Sequence, residues 1–198
     1  MFTLEVEKGL QLALVEPKFA PLYLEIVTRE REYLSQWLAW PPHADGEDFF
    51  LSFIKRSLHD YAEGKSLVCA IFYAEKLVGN ISFNSIDYDL EKVEIGYWLL
   101  ATGYWLLATG YWLLATGYWL SSEYQGHGIV SKSVSKLVEI AFTELNMQKV
   151  QISAAVENKP SRNVCERLGF KLEGIVTRSE NLNGRIVDHA IYGLSRKI

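Results

Sequence analysis

The chain has 198 residues, a formal net charge of −4, 49% hydrophobic residues and 22% charged residues. These figures fit one globular domain, or a domain carrying an insertion, with enough apolar residues for a single core. The mild negative charge excludes an electrostatic hold on nucleic acid, and the opening MFTLEVEKGLQLALVEPKFA lacks the basic start and apolar run of a signal peptide, so the expected compartment is the cytoplasm.

Leu10 to Pro17 reads as a first strand stopped by proline. From Ala20 to Trp40 the apolar spacing suits one or two helices, closed by Pro41-Pro42. Asp45 to Asp48 opens a helix with acidic residues in its first turn, and Gly64 ends it. Leu67 to Asp89 reads as two strands around a tight turn near Glu75-Lys76, and KVEIGYWLL begins another strand. Val134, Leu137, Val138, Ala141, Phe142 and Leu145 form the clearest helical stripe in the chain. Lys149 to Val156 follows as a strand buried on both faces. A short helix runs from Pro160 to about Leu168, and two closing strands meet around Asn183-Gly184. Cys69 and Cys165 are far apart and read as reduced, buried thiols; the four histidines show no ligand spacing, so no metal is expected.

One stretch breaks this order. From Gly96 to Leu120 the unit GYWLLAT recurs letter for letter. A run without charge is long enough to cross a bilayer, but a single crossing would leave its two ends on opposite sides of the membrane. A heptad helix would set Tyr97/Leu100, Tyr104/Leu107 and Tyr111/Leu114 on one stripe, with no charges to choose a partner. A strand meander would need threonine in turns that call for positive φ. The fourth reading is the expected one. It is a tandem expansion of a single GYWL strand, at about residues 99–119, inside an otherwise ordinary domain, with the last copy in the sheet and Ala115 displacing Glu94.

Next comes YQGHGIVSKSV, a glycine-bearing turn ahead of a helix. Free amides and the helix dipole there suit a phosphate, and Gly126 and Gly128 let the backbone come close to it. The spacing matches neither the P-loop nor the dinucleotide fingerprint. Taken together, EIGYWL, Gln125-Gly126-His127-Gly128-Ile129-Val130, Asn158 to Ser161 (NKPS) and Glu166 to Phe170 (ERLGF) resemble, in that order, motifs of the GNAT superfamily of N-acetyltransferases. They are most similar to its ribosomal-protein branch.

The resemblance implies a single N-acetyltransferase domain over residues 1–198. Its fold class would be α/β, with a mixed, mostly antiparallel sheet of about six to seven strands flanked by helices. It implies acetyl-CoA as co-substrate, with residues Gln125 to Val130 holding the diphosphate, Trp119 and Leu120 lining the acyl end, and Asn158 on the pantetheine arm. Ser161 would stand near the thioester sulfur and protonate the leaving thiolate; Cys165 takes the place where many relatives have tyrosine. Glu94 is the candidate general base. Trp37 and Trp40 fall where the acceptor groove is built, although tryptophans at that spacing also suit a core. The acidic residues Glu30, Glu32, Asp45, Glu47 and Asp48 would favour a basic acceptor tail.

The implied acceptor is a protein N-terminus. An α-amine has a pKa of about 7.7–8.0 and is partly deprotonated near neutrality, whereas lysine at about 10.4 is almost wholly protonated, so an α-amine needs less help from a base. A small-amine acetyltransferase and a catalytically dead acyl-CoA-binding module are the rival readings. A homo-oligomer is compatible with the sequence.

Overall fold

The computed structural model describes residues 2–96 and 118–197. The strands among them are β1 (Thr3–Glu7), β2 (Leu10–Leu14), β3 (Leu67–Tyr73), β4 (Lys76–Phe83), β5 (Ser85–Asp87), β6 (Lys92–Gly96), β7 (Tyr118–Leu120), β8 (Lys149–Ala155), β9 (Lys171–Leu182) and β10 (Arg185–Ser195). The helices are α1 (Ala20–Ser35), α2 (Glu47–Ala62), α3 (Ile129–Thr143) and α4 (Lys159–Arg167). The expected six to seven strands become ten, in two five-stranded sheets ordered β1-β2-β3-β4-β7 and β5-β6-β8-β10-β9. The extra strands have physical causes. β1 alternates between exposed and half-buried positions and so gives little apolar signal, β5 is three residues long, and the repeat cuts one strand into β6 and β7.

Among the described residues, β6 and β8 form the parallel pair and the other ladders are antiparallel. Two hairpins use the turns that the sequence announces. Ala74 and Glu75 both take positive φ between β3 and β4, as do Asn183 and Gly184 between β9 and β10, the pattern that matches strand twist in two-residue loops.

The first sheet is buried on both faces. Cys69 and Ile71 look into one core with Val134, Leu137 and Ala141 of α3, while Val68 and Ala70 look into another with Tyr23 of α1 and Phe50 and Ile54 of α2. The stripe read from the sequence therefore sits where helix periodicity puts it.

The break in the strand is orderly. Ser85 faces Glu94 and Ile81 faces Tyr118. Counted without residues 97–117, three residues (82–84) separate those pairs on one side and two (95–96) on the other. That is a one-residue bulge, and the Asn84 amide donates to the Glu94 carbonyl at 2.8 Å within it. β6 and β7 thus lie as two halves of one strand in continuous register with β4 and β5. The expected last copy does pair in the sheet, through Tyr118–Leu120 in β7, but Glu94 is not displaced: it keeps its own place in β6. Ala115 and the heptad residues of the repeat lie outside the described residues. Among those described, no helix is long and apolar enough to cross a membrane.

Candidate active site

The two sheets part between β7 and β8. β6 runs beside β8 as far as Gly96 opposite Ser153, while β7 pairs on its other side with β4. The gap is a cavity of about 830 Å³, walled by residues 118–120 and 153–155, by the C-terminal end of α1 and by the start of α3. Its size lies in the range of small-molecule sites. β7 fits closely because residue 79 is glycine: a Cβ there would stand 2.2 Å from the Trp119 carbonyl oxygen. The Ser121 amide donates to Val78 of β4 at 2.8 Å. Alternation along the ladder turns the Leu120 amide the other way, toward the gap.

At one end lies the loop before α3. Gly126 and Gly128 take φ of +80° and +72°, and Gly128 begins the helix with no side-chain cap. The first helical bond there runs from the Lys132 amide to the Gly128 carbonyl, so the amides of residues 129–131 have no partner within the helix. Lys132 and Arg167 join them on the cavity wall. Donors and positive charge converge there, which suits the diphosphate of coenzyme A. Gln125, Gly126, Gly128, Ile129 and Val130 line the cavity. Gln125 donates to the Tyr33 hydroxyl. His127 turns outward and bonds the Gln125 carbonyl at 2.9 Å, so any contribution it makes to the loop is structural.

Deeper in, Asn158 caps α4 by accepting from the Ser161 amide at 3.1 Å. The Ser161 hydroxyl lies 2.5 Å from the Tyr118 hydroxyl. Burial pushes the Tyr118 phenol well up, so it stays protonated. It is therefore suited to donate to Ser161, leaving the serine proton free for another acceptor. Burial also pushes the Cys165 thiol up to about 12, which makes it an inert wall rather than a nucleophile.

Opposite is a group with no motif to announce it. Glu180, His189 and Ser153 all line the cavity and are all buried. Ser153 Oγ is 3.0 Å from His189 Nδ1, and His189 Nε2 is 3.2 Å from Glu180 Oε2. Glu180 Oε1 is buried without a hydrogen-bond partner among the described residues. A bulge aims this carboxylate: between the pairs Glu180–Val187 and Val176–His189, residues 177–179 face Asp188 alone. Arg178 takes positive φ there, and its amide donates to Asp188 at 2.8 Å.

Glu94 lies in β6 on the same face as Ser153, by the register of β6 and β8. It is 9% exposed, and burial raises its pKa against the opposing pull of Lys92 and His189. It is not among the described residues that wall the cavity. The tryptophans divide. Trp37 lines the cavity and carries the Arg185 guanidinium 5.3 Å from its ring. Trp40 packs in the core against Phe49, Phe50 and Trp119. Of the acidic residues expected to face the acceptor, Glu30 turns inward instead. At a kink in α1 it accepts from Ser121 Oγ at 2.5 Å, the Ser122 amide at 2.7 Å and Arg29 at 3.2 Å, tying that helix to the loop after β7.

The model of the acetyltransferase (GNAT) domain family matches this chain over residues 10–115 and again over 106–171, the two matches overlapping inside the repeat. A protein of Bacillus subtilis (strain 168), YdaF, provisionally named a ribosomal N-acetyltransferase, is 30% identical over 198 residues, covering 100% of this chain and 97% of its own. The ribosomal-protein-serine acetyltransferase of Escherichia coli (strain K12) is 28% identical over 191 residues, 96% of this chain and 94% of its own. Among solved structures, the microcin C7 self-immunity acetyltransferase MccE, in complex with acetyl-CoA and AMP, superposes with a TM-score of 0.82 at 28% identity, covering 96% of this chain and 94% of that one.

Proposed function

The chain belongs to the GNAT acetyltransferase family, and from that premise we propose that this acetyl-CoA-dependent N-acetyltransferase acts on the N-terminal α-amine of a protein, a ribosomal protein as the names of its relatives indicate. The observation that carries the reading is one cavity with a diphosphate loop at one end and, at the other, a buried carboxylate oxygen across from a serine hydroxyl. Acetyl-CoA supplies a thioester whose carbonyl carbon accepts the amine. Residues 126–131 hold its diphosphate, and Asn158 lies along the pantetheine arm.

Glu180 Oε1 takes the proton from the incoming ammonium, a role better served by its place on the cavity wall than by that of Glu94. The Leu120 amide faces the carbonyl oxygen as charge develops on it. Ser161, supplied through Tyr118, gives a proton to the departing sulfur. Trp37 forms a wall of the acceptor entrance. A ribosomal acceptor places the reaction in the cytoplasm. A homo-oligomer would use the edge of β9, which ends its sheet among the described residues and where Leu172, Ile175 and Val176 are exposed, and sedimentation would detect it.

The test is thiol release with acetyl-CoA against a panel of peptides with free α-amines, the same peptides blocked at the N-terminus, and small polyamines. Turnover confined to the free peptides supports the proposal. Turnover confined to polyamines overturns the acceptor, and coenzyme binding without turnover on any acceptor overturns the catalytic roles.

A further inference from the structure

Resting on the reading of Glu180 as the base, we propose that His189, held by Ser153, is the positioning residue that fixes which oxygen of that carboxylate meets the acceptor. The three residues come from three adjacent strands, β8, β10 and β9, and are 8%, 2% and 7% exposed. An ionised carboxylate can only accept, so the hydrogen between His189 and Glu180 belongs to Nε2. That leaves Nδ1 as the acceptor for the Ser153 hydroxyl in a neutral imidazole. Each partner thus sets the next: serine selects the tautomer, the tautomer engages Glu180 Oε2, and Oε1 is left buried without a partner among the described residues, on a residue that lines the cavity. The strand pairing makes this support stiff, since His189 stands opposite Ala155 and Ile191 opposite Ser153. The bulge at residues 177–179 brings Glu180 to His189 and is itself pinned by Asp188. Without His189 the carboxylate has no fixed orientation and its reactive oxygen is placed less often.

The experiment is steady-state thiol release with acetyl-CoA and a serine-initiated peptide bearing a free α-amine. Glu180→Gln should lower kcat about 100- to 10,000-fold, the range of a lost general base. His189→Leu, which fills the same space, should lower kcat about 10- to 100-fold and leave the KM for acetyl-CoA within about twofold, because misorientation removes part of what removing the base removes. His189→Gln, whose amide can donate to Glu180 and accept from Ser153, should recover most of that loss. The double variant Glu180→Gln/His189→Leu should be no slower than Glu180→Gln alone, since residues that act as one unit are not additive.

Should His189→Leu fail to fold, Ser153→Ala decides, with an expected loss in kcat of about three- to tenfold at constant acetyl-CoA KM. Unchanged kcat in His189→Leu or Ser153→Ala, a full further loss in the double variant, or a KM rise that matches the kcat loss overturns the role of His189 while leaving the base in place. A nearly unimpaired Glu180→Gln overturns the base reading itself.

Discussion

Residues 97–117 can be removed, and the structure says what should happen. Gly96 ends β6 opposite Ser153, Tyr118 begins β7 opposite Ile81, and a single bulge residue separates the registers on either side. Joining Gly96 to Tyr118 restores one strand, VEIGYWLSSEYQG, without moving Glu94, Trp119 or the loop beyond. Tying down a 21-residue connection costs chain entropy that grows as three-halves RT times the logarithm of its length, about 2–3 kcal/mol. The shortened chain should therefore be more stable by that amount, and melt about 5–10 °C higher for a domain of this size. Urea unfolding followed by circular dichroism measures the first quantity, and calorimetric titration with coenzyme A should give an unchanged dissociation constant. A shortened chain that is less stable, or that no longer binds coenzyme A, would refute the continuous-register argument and give the repeat a structural role.

Four further outcomes follow from single substitutions. Glu30→Leu leaves the Ser121 hydroxyl and Ser122 amide without their acceptor and should cost about 2–5 kcal/mol in urea unfolding, with a raised KM for acetyl-CoA because the loop after β7 loses its tie to α1. Burial favours the neutral form of Glu30, but the bonds from Ser121, Ser122 and Arg29 outweigh it and hold its pKa below 4.5. Its contribution is thus complete above that value and lost as pH falls through the lower folded pKa, so Glu30→Gln should flatten the acid limb of the stability curve. Gly79→Ala drives a Cβ against the Trp119 carbonyl and should cost about 1–3 kcal/mol, seen as a lower urea midpoint and weaker coenzyme binding in calorimetry. Tyr118→Phe removes the donor behind Ser161 and should lower kcat about tenfold or more if the hydroxyl pair supplies the leaving sulfur's proton, with the acetyl-CoA KM little changed in the same assay.

The loop and the elements around it were legible because each carries a local signal: a glycine-bearing turn before α3, a 3.6-residue stripe on that helix, and Pro160 at the start of α4. Glu180 and His189 carried none. Glu180 sits in the polar run TRSENLNG, which reads as a solvent-facing strand, and it turns inward only through a bulge whose extra residues no propensity announces. His189 becomes meaningful only when β8 brings Ser153 beside it. Glu30 read as one of several acids that would favour a basic acceptor tail, but a kink in α1 turns it toward Ser121. Trp40 shows the converse: an aromatic at a plausible groove position goes to the core when Phe49, Phe50 and Trp119 offer it a packed site. The repeat hid the sheet because periodicity cannot tell which copy pairs, and the answer, one half-strand from each end, was fixed by long-range register.

The seam between Gly96 and Tyr118 is also a port for foreign sequence. A receptor module whose own termini lie a peptide's length apart, spliced there in place of residues 97–117, would couple its folding to the closure of that strand. Acyl transfer would then report on whatever small molecule the receptor binds.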